Sequence, residues 1–159
     1  MILVLLGTQN NSFTRLLDAI QDCVNKGTIK EKVVVQAGYT KYESKNMKIF
    51  SMVDKREFSK LLDEAHLIIS HGGVGSIVTS LEKGKKVIVV PRLKKYNEHV
   101  NNHQIQIARK FKQEGYVKYV LNLKHLDKAI SEIDKFEPKK YVRQESKILS
   151  MVENFIDNN

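Results

Sequence analysis

Cysteine is almost absent from the sequence, which has Cys23 alone among 159 residues. A single cysteine excludes an intrachain disulfide framework and indicates a reducing compartment such as the cytosol. A chain of this length can bury about two-thirds of the surface that its unfolded form exposes, so one hydrophobic core is enough to stabilise it. Cys23 lies at helical spacing in the segment LLDAIQDCVNKG and is predicted to be a core thiol rather than a nucleophile.

Long apolar runs are also missing. The opening segment MILVLLGTQ has no basic leader, and its apolar run is too short for a signal peptide or a membrane-spanning helix. We therefore expect a buried strand there and a single domain over residues 1–159.

Acidic residues are fewer than basic ones. The sequence has 27 lysines and arginines and 18 aspartates and glutamates, which gives a formal net charge of +9. This charge favours polyanions, anionic lipid head groups or phosphorylated ligands. Only PRLKKY (91–96) and KKYVRQ (139–144) concentrate it. Because no recognition helix or pattern of stacking aromatic residues accompanies the charge, we expect no nucleic-acid partner.

Clusters of metal ligands are lacking as well. Five histidines occur without a cysteine or carboxylate cluster at ligand spacing, and no Asp-x-Asp pair occurs anywhere. We therefore expect no metal and no cofactor.

Short apolar runs alternate with segments of helical periodicity. The runs predict six strands, at 2–6, 32–38, 47–53, 66–70, 85–91 and 116–121. The helical segments are 12–27 with Ser12 as the N-cap, 55–65, 74–84, 98–115, 123–134 and 138–157. This alternation predicts an α/β fold, a doubly wound, mostly parallel six-stranded Rossmann-like sheet with helices on both faces. The last helix, 138–157, either docks on a partner or packs back onto its own sheet.

Three of the eight glycines fall within the stretch LIISHGGVGS (67–76). Gly72, Gly73 and Gly75 separate a predicted strand from a predicted helix, at the sheet edge where doubly wound folds bind ligands. Glycine there permits close approach of a ligand, and the free N–H groups of the helix start favour a phosphate or diphosphate. Ser76 could cap the helix or donate to a phosphate oxygen. The alternative is a tight turn with a serine cap, but three glycines beside His71 favour the ligand.

Other glycine motifs do not fit this spacing. The dinucleotide fingerprint, the Walker P-loop and the nucleophile elbow each require residues that the stretch lacks.

The segment AHLIISHGGVGSIVTSLEKGKKVIVVPRLKKYNEHVNNHQIQIA (65–108) resembles the carboxyl-terminal, donor-binding domain of family 28 glycosyltransferases. The flanks LVLLGTQNNSFTRLL and VVVQAG fit as well, so the resemblance covers roughly residues 1–120. Similar domains form half of the peptidoglycan lipid II UDP-GlcNAc transferase and the small subunit of the eukaryotic two-chain UDP-GlcNAc transferase. The small bacterial subunits of capsular and exopolysaccharide galactosyl- or glucuronosyltransferases are similar too, and RLKKYNEHVNNHQ resembles that branch most.

The resemblance implies the donor half of a GT-B enzyme with a UDP-sugar site. The glycine turn would hold the diphosphate, residues after strand three would lie against the uracil, and the NHQ motif would meet the donor sugar or the diphosphate. The implied donor-binding residues are Gly7, Thr8, Met52, Val53, Gly72, Gly73, Gly75, Ser76, Asn102, His103 and Gln104. Thr79 stands where the family often has a glutamate that grips both ribose hydroxyls, and threonine can make only one weaker bond. Arg92, Lys94 or Lys95 could assist the diphosphate, or this basic run is solvated or faces lipid.

The base for the attacking hydroxyl is harder to assign. Glu98 and His99 lie near the predicted crevice, and either could accept a proton. Asn97 as a helix cap with Glu98 in the first turn explains the same residues. His71 is either a site group or a structural histidine that shapes the turn. In two-lobed relatives the acceptor lobe contributes the base, and we expect that lobe to be absent here.

The sequence therefore predicts the donor-binding, catalytic subunit of an inverting glycosyltransferase. It would move a hexose, with UDP-galactose favoured, to a lipid-linked saccharide acceptor in capsular or exopolysaccharide synthesis. A membrane-anchored, acceptor-binding subunit would be its partner, and the chain would be cytoplasmic and peripheral at the inner face of the cell membrane. The alternatives are a stand-alone UDP-sugar hydrolase or epimerase and a non-catalytic stabilising subunit that binds nucleotide sugars.

Overall fold

The computed structural model describes residues 1–142. They contain one six-stranded sheet in which every strand pair is parallel, in the order β3-β2-β1-β4-β5-β6. The strands are β1 Ile2–Leu5, β2 Val33–Gln36, β3 Met47–Phe50, β4 Leu67–Ser70, β5 Lys86–Val89 and β6 Lys118–Tyr119. The predicted fold class is confirmed.

The central strands are buried on both faces because helices cover both sides of the sheet. Alternate residues of β1 show this directly. Ile2 and Val4 join a core with residues of α1 and α5, whereas Leu3 and Leu5 join a second core with residues of α2, α3 and α4. Burial on both faces explains why the strand runs are continuously apolar rather than alternating.

Within residues 1–142, five α-helices connect or follow the strands. They are α1 Thr14–Asn25, α2 Lys55–Glu64, α3 Val74–Glu82, α4 His103–Gln113 and α5 Leu126–Ser131. Short 3-10 turns occur at Lys94–Tyr96, Leu123–His125 and Ile133–Lys135. No helix within residues 1–142 is long and apolar enough to cross a bilayer.

Several predicted boundaries are wrong. Ser12 does not cap α1, which begins at Thr14 with Phe13 in the N-cap position, and the N–H of Phe13 donates to the Thr40 hydroxyl. The helix predicted over 98–115 begins only at His103, because Asn97 takes a left-handed conformation and Glu98 turns inward. β3 ends at Phe50, so Met52 and Val53 lie in the loop that follows it.

The predicted carboxyl-terminal helix falls mostly on residues 143–159, which lie outside the described part of the chain. Residues 138–142 have no helical structure, so the helix does not begin at Pro138 as predicted.

The strand order reverses between β1 and β4, the neighbouring pair at the centre of the sheet. Loops that leave the carboxyl ends of these two strands diverge, and open α/β sheets bind ligands in the crevice formed there. The loop after β1 and the glycine turn after β4 meet at this crevice.

Gly38 fixes the loop after β2 against the loop after β1. Its φ is +57°, and a Cβ built on it would lie 2.3 Å from the carbonyl oxygen of Gly7. Gly27 also has positive φ, at +82°, but a Cβ there would meet nothing within 4 Å. Both glycines therefore need a positive φ, but only Gly38 has a neighbouring atom that a side chain would collide with.

Gly38→Ala should destabilise the protein more than Gly27→Ala does. Left-handed backbone costs each alanine about 1 kcal/mol, whereas the collision with Gly7 should add roughly 1–3 kcal/mol to Gly38→Ala alone. Urea unfolding of both variants measures the difference. Equal losses of unfolding free energy would show that the two loops are not in tight contact.

Candidate functional site

A cleft of about 390 Å³ opens at the crevice between β1 and β4. Residues at or after the carboxyl ends of β1, β2, β3 and β4 contribute to it, together with one residue of α2. Its lining comprises Gly7, Thr8, Gln9, Gln36, Met52, Val53, Phe58, His71, Gly75 and Ser76. The structure thus brings together seven of the residues singled out from the sequence: Gly7, Thr8, Met52, Val53, His71, Gly75 and Ser76.

The three glycines of the turn have different neighbours. A Cβ on Gly72 would lie 2.6 Å from the Gln104 side chain, and one on Gly73 would lie 2.2 Å from the His71 ring. A Cβ on Gly75 would meet no atom within 4 Å. Close packing inside the protein therefore explains Gly72 and Gly73. Gly75 borders open space in the cleft.

The start of α3 faces this space without a cap. Gly73 occupies the N-cap position, no side chain bonds there, and the first turn has no acidic residue. Ser76 therefore does not cap the helix as the sequence allowed. The first-turn N–H groups have no carbonyl partner within the helix, and together with the helix dipole they attract an anion.

The hydroxyl of Thr79 donates to the carbonyl of Gly75 at 2.7 Å, one turn earlier in α3. Thr79 does not line the cleft. Because its hydroxyl proton is used within the helix, the structure gives no further support for the predicted weak contact between Thr79 and the ribose.

His71 is buried beside the glycine turn and is one of the residues that line the cleft. Desolvation lowers its pKa to about 3, and the nearby positive charge of Arg92 acts in the same direction. The imidazole is therefore neutral at physiological pH. Its Nε2 lies 3.3 Å from the Ser76 hydroxyl, and its Nδ1 lies 3.2 Å from the Gln104 amide nitrogen.

Arg92 is not a donor-binding residue in this geometry. Its side chain is completely buried, and the guanidinium donates to the carbonyls of Leu6, Asn11 and Glu98. Burial lowers its pKa to about 10, which leaves it charged at neutral pH. The predicted contact with a diphosphate gives way to a structural role, in which Arg92 ties the loop after β1 to the segment after β5.

Glu98 is likewise engaged and buried. Its carboxylate accepts from Nε and Nη2 of Arg15, both at 2.9 Å, and from the N–H of Leu93 at 3.0 Å. This ion pair opposes the predicted role as a base. The alternative of a first-turn helix residue is also wrong, because α4 begins five residues later.

The other residues of this segment lie away from the cleft lining. Nδ1 of His99 accepts from the N–H of Asn101, and burial, with the nearby charge of Arg92, lowers the pKa of His99. The Asn102 side chain accepts from the N–H of Lys94, and His103 is exposed at the first position of α4. The structure therefore does not place His99, Asn102 or His103 at the glycine turn.

The sequence analysis missed three residues of the cleft: Gln9, Gln36 and Phe58. Gln36 could have been found from the sequence, because it is the polar residue that ends the buried run VVVQ at the ligand-binding edge of the sheet. Its Nε2 donates to the carbonyl of Ser51. Phe58 could not have been found, since its position in the helical pattern is that of an ordinary core residue.

A larger groove of about 680 Å³ lies beside Arg15, Tyr96, Asn102 and Lys124. Apolar side chains such as Leu93 and Leu121 form much of its wall. We place the candidate site in the smaller cleft, because that cleft combines the strand-order reversal, the uncapped helix start and the open space at Gly75. Within residues 1–142, no group of three histidine, cysteine or acidic residues could hold a metal ion.

Arg92→Lys should lower the free energy of unfolding by about 2–4 kcal/mol, because an ammonium group cannot reach all three carbonyls and leaves buried acceptors unsatisfied. Arg56→Lys, on the exposed face of α2, is the matched control and should change stability by less than about 0.5 kcal/mol. Chemical denaturation of both variants provides the measurement. Full stability of Arg92→Lys would mean that the guanidinium does not hold the two segments together.

Comparison with proteins of known sequence identifies relatives. The mouse "UDP-N-acetylglucosamine transferase subunit ALG13" is 46% identical over 59 residues, which is 36% of this chain and 5% of the relative. The protein of the same name from Candida albicans is 26% identical over 113 residues, 71% of this chain and 37% of the relative. The chain thus aligns with a small fraction of the mouse protein and little more than a third of the yeast one.

Comparison with solved structures gives the same fold. The glycotransferase of kitacinnamycin superposes with a TM-score of 0.58 at 17% identity, over 97% of this chain and 37% of that chain. MurG of Acinetobacter baumannii gives a TM-score of 0.54 at 14% identity, over 96% and 49%. At these identities the likeness bears on the fold alone, which it confirms.

The family described as "Glycosyltransferase family 28 C-terminal domain" matches residues 1–158. The match spans nearly the whole chain, and the glycine turn on which the resemblance was based lines the cleft. The chain therefore belongs to the family 28 glycosyltransferase carboxyl-terminal domains.

Proposed function

We propose that this chain is the donor-binding, catalytic subunit of a two-chain inverting glycosyltransferase that moves a sugar from a UDP-sugar to a lipid-linked acceptor. The observation that carries the proposal is the open space at Gly75 beside the uncapped start of α3. Family membership and the relatives named as UDP-N-acetylglucosamine transferase subunits support the same conclusion.

The cleft offers complementary surfaces for the parts of UDP. Met52, Val53 and Phe58 form an apolar side that suits the uracil ring. Gly75, Ser76 and the first-turn N–H groups of α3 suit the diphosphate. We place the nucleotide with its base toward the loop after β3 and its phosphates at the start of α3.

Departure of the diphosphate is the step that these groups would promote. Negative charge grows on the leaving diphosphate as its bond to the anomeric carbon breaks and the acceptor hydroxyl bonds to that carbon, and fixed N–H donors in a partly dry site stabilise such charge strongly. The N–H groups of α3 are already oriented, so they require no rearrangement during the reaction. We propose that they perform the role that a metal ion has in other nucleotide-sugar enzymes.

We propose that the partner subunit supplies the base. Within the described cleft, His71 is a neutral buried imidazole whose pKa is lowered to about 3. Glu98 is held in its ion pair with Arg15 outside the cleft lining. The partner would also bind the lipid-linked acceptor and hold the complex at the inner face of the membrane.

Two donor sugars have support. The names of the curated relatives favour UDP-GlcNAc. The likeness of RLKKYNEHVNNHQ to the exopolysaccharide branch favours UDP-galactose, with capsular or exopolysaccharide synthesis as its setting. Neither sugar is distinguished by the cleft, whose lining residues face the nucleotide.

Gly75→Val should abolish nucleotide binding while leaving the fold intact. The valine side chain would enter the space assigned to the diphosphate, whereas the backbone at this helical position is open to any residue. Calorimetric titration with UDP, UDP-GlcNAc, UDP-galactose, UDP-glucose and UDP-glucuronate measures affinity, and thermal melting checks the fold.

Gly84→Ala, at the end of α3 and away from the cleft, is the control and should bind UDP normally. Undiminished UDP binding by folded Gly75→Val would refute the assignment of the site. The tightest ligand in the panel separates the two donor sugars.

Sugar transfer should require the partner chain. With a lipid-linked acceptor, the purified chain alone should show no turnover, because the described residues that line the cleft offer no effective base. Added partner should restore activity that chelators do not remove. Robust transfer by the chain alone would contradict the proposal. Steady release of UDP without any acceptor would instead favour a hydrolase, and full activity of the Gly75→Val complex would favour a stabilising subunit.

A further inference from the structure

Gln104 is a buried amide whose orientation is fixed by its neighbours. Only 3% of its surface is exposed. Its Oε1 accepts from the backbone N–H of Gly72 at 2.9 Å and from the backbone N–H of Arg92 at 3.0 Å. Backbone N–H groups can only donate, so the atom that faces them must be the oxygen. The amide nitrogen therefore points the other way.

That nitrogen lies 3.2 Å from Nδ1 of His71. An amide NH₂ only donates, so Nδ1 must be the acceptor and cannot carry a proton. A neutral imidazole has one N–H, which then lies on Nε2. Two backbone amides thus determine, through Gln104, which nitrogen of His71 is protonated.

Burial and nearby positive charge keep the His71 ring neutral. Burial first, then the charge of Arg92 and to a smaller extent His99, lower its pKa to about 3, although the Gln104 hydrogen bond acts in the opposite direction. The ring is also confined, since a Cβ on Gly7 or Gly73 would lie 2.7 or 2.2 Å from its atoms. This packing and the two side-chain contacts keep Nδ1 toward Gln104 and Nε2 toward Ser76.

Nε2 faces the ligand side. It lies 3.3 Å from the Ser76 hydroxyl, and both His71 and Ser76 line the cleft at the start of α3. A phosphate oxygen bound there would meet an N–H group of a neutral ring rather than a lone pair.

We infer that Gln104 is a positioning residue that does not touch the nucleotide sugar but holds His71 as the Nε2–H tautomer, so that His71 donates a hydrogen bond to the diphosphate. This inference rests on the proposed function for the identity of the ligand. It replaces the expectation that Gln104 itself meets the donor sugar or the diphosphate, and it gives His71, predicted to be either a site group or a structural histidine, a role at the site.

The tautomer can be tested without any ligand. Long-range proton–nitrogen NMR spectra of the full chain report which ring nitrogen of His71 carries the proton. We expect the proton on Nε2 throughout the range from about pH 6 to pH 8.5, because the ring stays neutral there. A proton on Nδ1 would overturn the inference, whether or not the protein binds UDP-sugars.

Gln104→Glu replaces the amide that fixes the His71 tautomer with a carboxylate of the same size. A carboxylate cannot donate to Nδ1, so the His71 proton must move to Nδ1, and Nε2 keeps an N–H only when a second proton binds the pair. The affinity of the variant for UDP-GlcNAc, relative to wild type, should therefore fall by about 10-fold or more between pH 6 and pH 8.5, as expected for losing a hydrogen bond to a charged group. The diphosphate of a UDP-sugar keeps its charge over this range, and UDP-galactose serves if it is the tighter ligand.

Gln106→Glu, on the exposed side of the same helix, adds the same charge and should follow the wild-type pH profile. Wild-type affinity of Gln104→Glu at pH 8.5, or equal weakness at every pH, would contradict a tautomer role. If Gln104→Glu does not fold, the NMR result on the wild-type chain still decides the question. If the wild-type chain binds no UDP-sugar, the proposed function fails while the tautomer assignment is tested independently.

Discussion

The buried guanidinium of Arg92 is the interaction on which the rest of the site depends. It lies at the carboxyl end of β5 and donates to carbonyls on the loop after β1 and on the segment that precedes α4. Those loops would otherwise diverge at the strand-order reversal and leave their carbonyls unpaired in the interior. One side chain with several fixed donors satisfies them together, which a lysine could not do. Buried Glu98 and partly exposed Arg15 extend the network outward from it.

A second set of buried polar side chains packs against the glycine turn, beside the Arg92 network. Gln104 packs against Gly72, His71 packs against Gly7 and Gly73, and the turn is held open at Gly75 alone. Three of these four glycines therefore make room for side chains of the protein itself. The cleft exists because a polar cluster beneath it is closely packed and fully hydrogen-bonded, and such a cluster tolerates little change.

Much of this architecture was predictable from local sequence. Continuous apolar runs gave the parallel sheet, and the stretch LIISHGGVGS located the cleft, because strand ends and helix starts depend on neighbouring residues. The roles of Arg92, Glu98 and Gln104 were not predictable in this way. Some of their partners are distant in sequence, as Leu6 is from Arg92, so the spacing of neighbouring residues cannot reveal these contacts. The role of Glu98 was predicted wrongly for the same reason, since its partner Arg15 is distant in sequence.

A crystal structure of the chain with UDP tests the central claim most directly. The account predicts a diphosphate beside Gly75, with its oxygens within hydrogen-bonding distance of the first N–H groups of α3 and of Nε2 of His71. UDP bound instead in the larger groove beside Tyr96 and Lys124, with the start of α3 empty, would contradict it.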